Sequence, residues 1–480
     1  MSDTYRNYVD GEWTASAGGD TFAVHNPADT EDVVGRFQAS TRDDTEAAVA
    51  AAVDAQEAWA DTPGPERGAV LARAAERLAE RRQELTETLT REEGKTHDEA
   101  DPEVGRAINI FRYYAQKARD RGGDVRAASG RDQRLYTVEE PLGTVALVTP
   151  WNYPIAIPAW KMAPALAAGN TVVLKPASLA PTVAREVVAA LDDAGLPDGV
   201  LNMVTGSGSV VGDALATDDR VDGVSFTGSS AVGNAVYDAA TDDGKRVQTE
   251  MGGKNPTLVM PSADLDEAAE VVGGGAFGVT GQACTACSRA IVHTAVHDEF
   301  VEGIVDYAES LTVGDGSEGA DVGPQVTAEE LEGTLEYVTI GREEGATVAT
   351  GGSRPDIDGG HFVEPTVFTG VEPGMRVAQE EIFGPVLSVI EVEDYEQAVA
   401  VANDVEYGLS ASIATRDLGE ANRFVDDIEA GVVKVNDTTT GVELHVPFGG
   451  MKNSSSNTYR EQGDAGLDFF TVTKTVYVDY

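Results

Sequence analysis

Two cysteines are all that 480 residues contain, so no disulfide framework holds this chain together. Histidine is nearly as scarce: six residues, scattered without paired spacing. A zinc site built on Cys284 and Cys287 would therefore lack ligands, and no metal is expected. Basic residues are also few, 35 Lys+Arg against 82 Asp+Glu, for a net charge of −47. That balance argues against nucleic acid, whose phosphates need a basic face. Long apolar runs are missing as well. The most apolar region, 143–176, is interrupted by five prolines, Asn152, Lys161 and Asn170, so it cannot cross a bilayer as one helix. The first residues, Met-Ser-Asp-Thr-Tyr-Arg, have no apolar stretch of signal-peptide type. A cytoplasmic location without a membrane partner is expected.

What is present is the composition of a folded protein, 41% hydrophobic and 24% charged. The length suits two or three domains. The acidic residues are spread along the chain and form no tail, which predicts a hydrated, self-repelling surface. Salt at molar strength shortens screening to roughly 3 Å and would relieve that repulsion. A cytoplasmic protein of a salt-loving organism is the expectation; an ordinary acidic protein is the alternative.

Helical spacing predicts helices over 45–59, 66–93 (stopped by Gly94) and 101–121. An edge strand is expected over 135–138. From Gly143 strands and helices alternate. Strands over 144–148, 171–174, 201–204 and 221–226 predict a parallel sheet covered by helices. A second alternating region carries strands at 290–293, 386–392, 410–414 and 432–435, and the last ten residues again look extended.

Chemistry is suggested at few places. Cys284 lies in Gly-Gln-Ala-Cys-Thr-Ala-Cys and could sit on a tight exposed turn. If that turn opened a helix, the dipole would lower the thiol pKa and favour covalent catalysis. The pair could instead be two inert core residues, the usual fate of free cysteine, while a thioredoxin-like redox role does not suit so large a chain. Glu250, before Met-Gly-Gly, is a candidate general base or a solvated turn residue. Asn152, in Pro150-Trp151-Asn152-Tyr153-Pro154, follows a strong strand, where ligands of parallel sheets bind. Its amide could donate to an oxyanion, or merely shape the turn. Phe226-Thr-Gly-Ser-Ser, a strand end and helix start with Gly228 and Ser229, would suit a diphosphate. Lys175 and Ser178, in Leu-Lys-Pro-Ala-Ser, end another strand, where Lys175 could meet a ribose hydroxyl or a phosphate.

These stretches, with 168–171, 380–385 (Glu-Glu-Ile-Phe-Gly-Pro) and 447–452 (Pro-Phe-Gly-Gly-Met-Lys), stand in the order found in the aldehyde dehydrogenase superfamily, which the whole chain resembles. The resemblance implies an α/β fold: a Rossmann-like cofactor domain over 1–121 and 142–253, an α/β catalytic domain over 254–453, and a small β oligomerisation flap from 122–141 and 454–480. It implies a homo-dimer or homo-tetramer. It implies Cys284 as nucleophile, Asn152 as oxyanion donor and Glu250 as base, passing through a thioester. Cofactor contacts would come from Thr149, Pro150, Trp151, Lys175, Ser178, Gly228, Ser229, Gly252, Glu381 and Phe383. Members that prefer NAD commonly carry Glu where this chain has Ser178, so NADP is expected and NAD remains possible. The tail Ser454–Gly463 with Leu467–Phe470 is similar to that of 2,5-dioxopentanoate (α-ketoglutarate semialdehyde) dehydrogenases of sugar-acid and pentose degradation. Succinate semialdehyde or a broad range of aldehydes is the alternative, and a catalytically inactive binding protein on the same fold a remoter one. CoA-acylating relatives typically lack the Glu250 base. An anionic substrate would need a cationic anchor, for which Arg112 is the nomination.

Overall fold

In a computed structural model, which describes residues 3–120 and 122–480, the alternating pattern between Gly143 and Glu250 forms five parallel strands. Their order across the sheet is Arg246–Glu250, Gly223–Thr227, Thr144–Val148, Thr171–Lys175 and Leu201–Met203. Chain direction along the sheet reverses at Thr144–Val148, whose neighbours are the next strand and the fourth. This switch point opens a crevice at the strand ends, just where Thr149, Pro150 and Trp151 follow. Each of the three central strands is buried over its whole length, which is why they read as continuous apolar runs.

Two antiparallel strands, Asn7–Val9 and Glu12–Thr14, extend this sheet past Leu201–Met203. A hairpin of Thr21–Asn26 and Asp29–Gln38 follows. None of these four was expected from a quarter of the chain dominated by helical periodicity; each is short or partly exposed, so it lacks a clean apolar alternation. The helices lie over Arg42–Asp61, Gly64–Glu80, Arg82–Glu93 and His97–Lys117. The expected helix over 66–93 is thus two, broken at Arg81, and Gly94 stops the second in a left-handed conformation (φ 97°). The third begins four residues earlier than expected, where Thr96 and Glu99 form a capping box. The end anticipated for it, Arg121, lies outside the described residues.

The second sheet runs Thr347–Thr350, Thr366–Thr369, Val386–Val392, Cys287–His293, Asn255–Val259, Ser410–Ala414 and Val432–Val435, parallel except for its first pair. The strands Asn255–Val259 and Cys287–His293 begin beside the place where Arg246–Glu250 ends. The far ends of the first sheet therefore face the near ends of the second.

A third sheet is small. Thr471–Asp479 pairs antiparallel along all of Gln133–Pro141, which also pairs with Val125–Arg126. The segment expected as an edge strand at 135–138 is therefore central, because the chain's last strand covers its other side. Tyr477 on that strand and Tyr480 just after it stand well exposed. Among the described residues no helix is long and apolar enough to cross a membrane.

Candidate active site

Three loops meet between the two large sheets. Pro150, Trp151 and Asn152 leave the first sheet at its switch point; Met251 and Gly252 lead from Glu250 into the second; the loop 278–286 carries Cys284. Together with Thr227, Gly228, Ser229, Glu330, Glu381, Ile382 and Phe383 they line a cavity of about 270 Å³. Six separated stretches of the chain therefore reach one space.

The Cys284 loop is held under strain. Val279 and Thr280 have positive φ (50° and 55°), and Gly281 (67°) lies so close to Gly384 that a Cβ would meet its carbonyl oxygen at 2.1 Å. The Asn255 amide donates to the Cys284 carbonyl (2.8 Å) and the Ala286 carbonyl (2.9 Å). The Gln282 carboxamide oxygen accepts from Val326 N–H at 2.9 Å. These bonds fix where the sulfur stands, partly exposed on the cavity wall.

The turn after Cys284 opens a strand and not a helix, so no dipole activates the thiol. Burial, followed by the carboxylates of Glu381, Glu250 and Glu461, pushes the Cys284 thiol up to about 12. The lowered thiol pKa expected from a helix start is thereby overturned. Cys287 faces the opposite way, into the core, with its sulfur 3.3 Å from Thr257 Oγ1. It is a small core residue and lines no part of the cavity.

Asn152 is buried at the end of the switch-point strand, and its amide donates to the Gln282 carbonyl at 2.9 Å. A primary amide has two donors, so this bond orients the group and leaves a second N–H. Lys95 donates to the Asn152 carbonyl (2.8 Å) and to Glu103 (2.6 Å), locking the turn from behind.

Glu250 ends its strand fully buried but outside the cavity lining. It accepts from Gly450 N–H (2.9 Å) and the Ser455 hydroxyl (3.0 Å). Burial, and then the charge of Glu461, push its carboxyl up to about 8. Glu461 itself is ion-paired with Lys161, which also donates to Ser225 Oγ at 2.7 Å. Neither Lys161, Glu461 nor Ser455 was foreseen. Their partners lie hundreds of positions away, so local pattern held no signal for them. The tail assigned to the flap accordingly divides: 454–461 packs around Glu250, and only 471–479 joins the small sheet.

This arrangement predicts an unusual pH profile. A base must be deprotonated, so its rate of water activation rises as pH climbs through about 8. Glu461→Gln removes the nearby charge that raises Glu250. The midpoint of acid release against pH then moves to lower pH. A residue that served stability alone would lower the rate without moving the midpoint. The variant also strands the buried Lys161, at a cost of about 3–5 kcal/mol in a thermal or denaturant melt.

The fit of a nicotinamide dinucleotide follows from buried polar atoms left without partners. Thr149 Oγ1 and Thr227 Oγ1 have none among the described residues. The helix Ser230–Asp242 starts at Ser229 with no side-chain cap, so its first N–H groups stay available to a diphosphate. Glu381 is half-buried, accepts from Gly253 N–H (3.0 Å) and has its carboxyl pushed up to about 7 by desolvation. A Cβ at Gly252 would meet Glu381 Oε2 at 2.0 Å, so only glycine lets this carboxyl approach. Phe383, at φ 58°, meets the Trp151 ring edge-on (centroids 5.4 Å apart) and closes the cavity between the sheets.

Lys175 and Ser178 stand outside this cavity, at the end of the adjacent strand. Lys175 is buried, donates to the Pro176 carbonyl (3.1 Å) and is pushed down to about 8 by burial. The Ser178 hydroxyl donates to the Gly206 carbonyl (2.9 Å) and lines a second cavity of about 290 Å³. Glu330 and Ile382 line the main cavity without having been anticipated. Arg112 does not belong to the site. It is exposed and ion-paired with Glu76 (2.9 Å), on the face of its helix turned to Gly64–Glu80.

The sequence profile described as "Aldehyde dehydrogenase family" matches residues 13–476. Over its full length the chain is 62% identical to the full length of the α-ketoglutarate semialdehyde dehydrogenase of Haloferax volcanii. It is 47% identical to the α-ketoglutaric semialdehyde dehydrogenase of Bacillus subtilis (99% of this chain, 98% of that one). It is 43% identical to the 2,5-dioxopentanoate dehydrogenase of Saccharolobus solfataricus (99% of each). Among solved structures, the betaine aldehyde dehydrogenase of Staphylococcus aureus in complex with NAD+ superposes with a TM-score of 0.96 at 34% identity, covering 99% of this chain and 94% of that one.

Proposed function

Because this chain belongs to the aldehyde dehydrogenase family and oxidises aldehydes with a nicotinamide cofactor, we propose that its substrate is 2,5-dioxopentanoate, its product 2-oxoglutarate and its preferred cofactor NADP. The observation that carries the substrate is the 62% identity, end to end, to a protein named for that activity. Relatives named for the same chemistry at 47% and 43% identity support it.

In this reading the Cys284 sulfur adds to the aldehyde carbon. The free N–H of Asn152 and the Cys284 backbone N–H take the oxyanion. The cofactor supplies hydride acceptance. Loss of hydride leaves a thioester on Cys284, and Glu250 takes a proton from the water that cleaves it. Glu381 and Phe383 orient the nicotinamide end, Thr149 to Trp151, Gly228, Ser229 and Gly252 line its path, and Lys175 serves the adenosine ribose.

Ser178 carries no charge to repel a 2′-phosphate, which supports NADP. The exposed Thr471–Asp479 strand, with its free edge, supports strand addition across a homo-oligomer interface.

Initial rates in molar salt, with 2,5-dioxopentanoate and succinate semialdehyde and with NADP and NAD, test the reading. The expected kcat/KM is highest for 2,5-dioxopentanoate with NADP, and Ser178→Glu lowers kcat/KM for NADP while sparing NAD. Equal rates for both aldehydes would remove the substrate assignment. A wild-type preference for NAD would remove the cofactor assignment.

A further inference from the structure

A chain with net charge −47 repels an oxo-acid anion at every approach, so the substrate reading above, on which this inference rests, demands a local cation beside Cys284. Most cations near the site are already engaged. The buried Lys254 ammonium has no hydrogen-bond partner among the described residues, but burial pushes it down to about 7, so it holds no full charge for an anion. Lys95 pairs with Glu103, and Lys161 with Glu461. Arg289 is buried with its donors on three backbone carbonyls. Arg460 donates to the carbonyl of Gly450, the residue whose N–H holds Glu250.

Arg106 differs. It projects from the helix His97–Lys117, largely buried, with its guanidinium 5.9 Å from the Trp160 ring centre. It donates to the Val442 carbonyl and to Gln462 Oε1 (2.7 Å), both neutral. Among the described residues it makes no ion pair. The carboxylates in its field are elsewhere: Glu103 is held by Lys95, and Glu443 is exposed beside His445. Two of its five N–H groups are used, so three remain.

Gln462 supplies a second observation. It is 1% exposed, sits at φ 63°, and its amide nitrogen has no partner. With its oxygen turned to Arg106, that nitrogen is a buried donor awaiting an acceptor, in a strained backbone of the kind that persists at functional sites. Tyr153 ties this pair to the chemistry. It follows Asn152, and its ring lies 4.4 Å from the Lys95 ammonium that holds the Asn152 carbonyl. Trp160, against Arg106, packs on Phe448 (centroids 5.9 Å apart), two residues before the Gly450 N–H that holds Glu250. Arg106, Gln462, Trp160 and Tyr153 all lie outside the lining of the Trp151–Phe383 cavity, which leaves that cavity to the cofactor.

We propose that Arg106, braced by Gln462 and Trp160, binds the carboxylate of the aldehyde substrate and makes the enzyme select anionic aldehydes. The planar guanidinium fork matches a carboxylate, and the Gln462 amide adds a donor from the side. Arg112, six residues along the same helix, points elsewhere, because about 100° per residue turns it some 240° away.

The test compares 2,5-dioxopentanoate with pentanal, a neutral aldehyde of equal carbon number, in molar salt. Arg106→Met keeps an unbranched apolar chain against Trp160. Its kcat/KM for 2,5-dioxopentanoate is expected to fall about 10- to 100-fold, mainly through KM, while pentanal holds or improves. Arg106→Lys recovers part of the loss, and Gln462→Leu gives a smaller fall of the same selectivity. An equal fall for both aldehydes, or no fall for the anion, overturns the role of Arg106. Wild-type enzyme that does not prefer the anion over pentanal overturns the substrate reading itself. A wild-type preference that survives in Arg106→Met overturns Arg106 alone.

Discussion

Cys284→Ala removes aldehyde oxidation by a factor on the order of 10⁴ or more, while NADP still raises the melting temperature of the variant. The reason is that nothing else in the cavity can replace the sulfur. Thr227 and Ser229 reach the wall, but unactivated hydroxyls are far weaker nucleophiles than a thiolate. Cys287 is three residues away yet packed in the core against Thr257, so it offers no second thiol. Its retention in the variant therefore changes nothing. The cofactor contacts lie on other loops, which is why binding survives. Activity above about one tenth of wild type would place the nucleophile elsewhere. The surrounding carboxylates add a corollary: with the thiol pushed up to about 12, alkylation by iodoacetamide accelerates steadily with pH across the neutral range.

Glu250→Gln separates the two halves of the reaction. The first turnover, read as a burst of reduced cofactor, persists. The steady rate after it falls by about 10²- to 10⁴-fold, because no base then activates the hydrolytic water. The substitution is nearly isosteric. The amide oxygen still accepts one of the bonds from Gly450 and Ser455, and the Ser455 hydroxyl can rotate to accept from the new amide hydrogen. Structural damage is thus small and the melt little changed. Loss of the burst itself would assign Glu250 to taking the thiol proton instead of the water's, and an unchanged steady rate would exclude it as the base.

The two sheets were legible because their signals are local. The strands at 144–148, 386–392, 410–414 and 432–435 have the bounds expected, since a buried parallel strand is a short apolar run between turn residues. The N-terminal strands were not legible. Three to ten residues long and half solvated, they exist because a neighbouring strand or hairpin partner offers an edge. Cys284, Asn152 and Glu381 were legible as motif residues, and all three line one cavity. Their electrostatics were not. The helix-start argument gave the thiol the wrong direction, because a pKa answers to burial and to charges brought in from other elements.

By itself the sequence determined the family, the two parallel sheets, the strand-end loops and the residue types that stand on them. Periodicity, turn glycines and motif spacing are properties of neighbours along the chain. The tertiary structure alone decided that Glu250 is gripped by Gly450 and Ser455, 200 and 205 residues away, that Glu461 is spent on Lys161, and that Arg106, and not Arg112, meets Gln462 across 356 residues. Such pairings are set by which faces the packed elements bring together. Which guanidinium keeps free donors for an anion depends on partners that only the folded chain brings together.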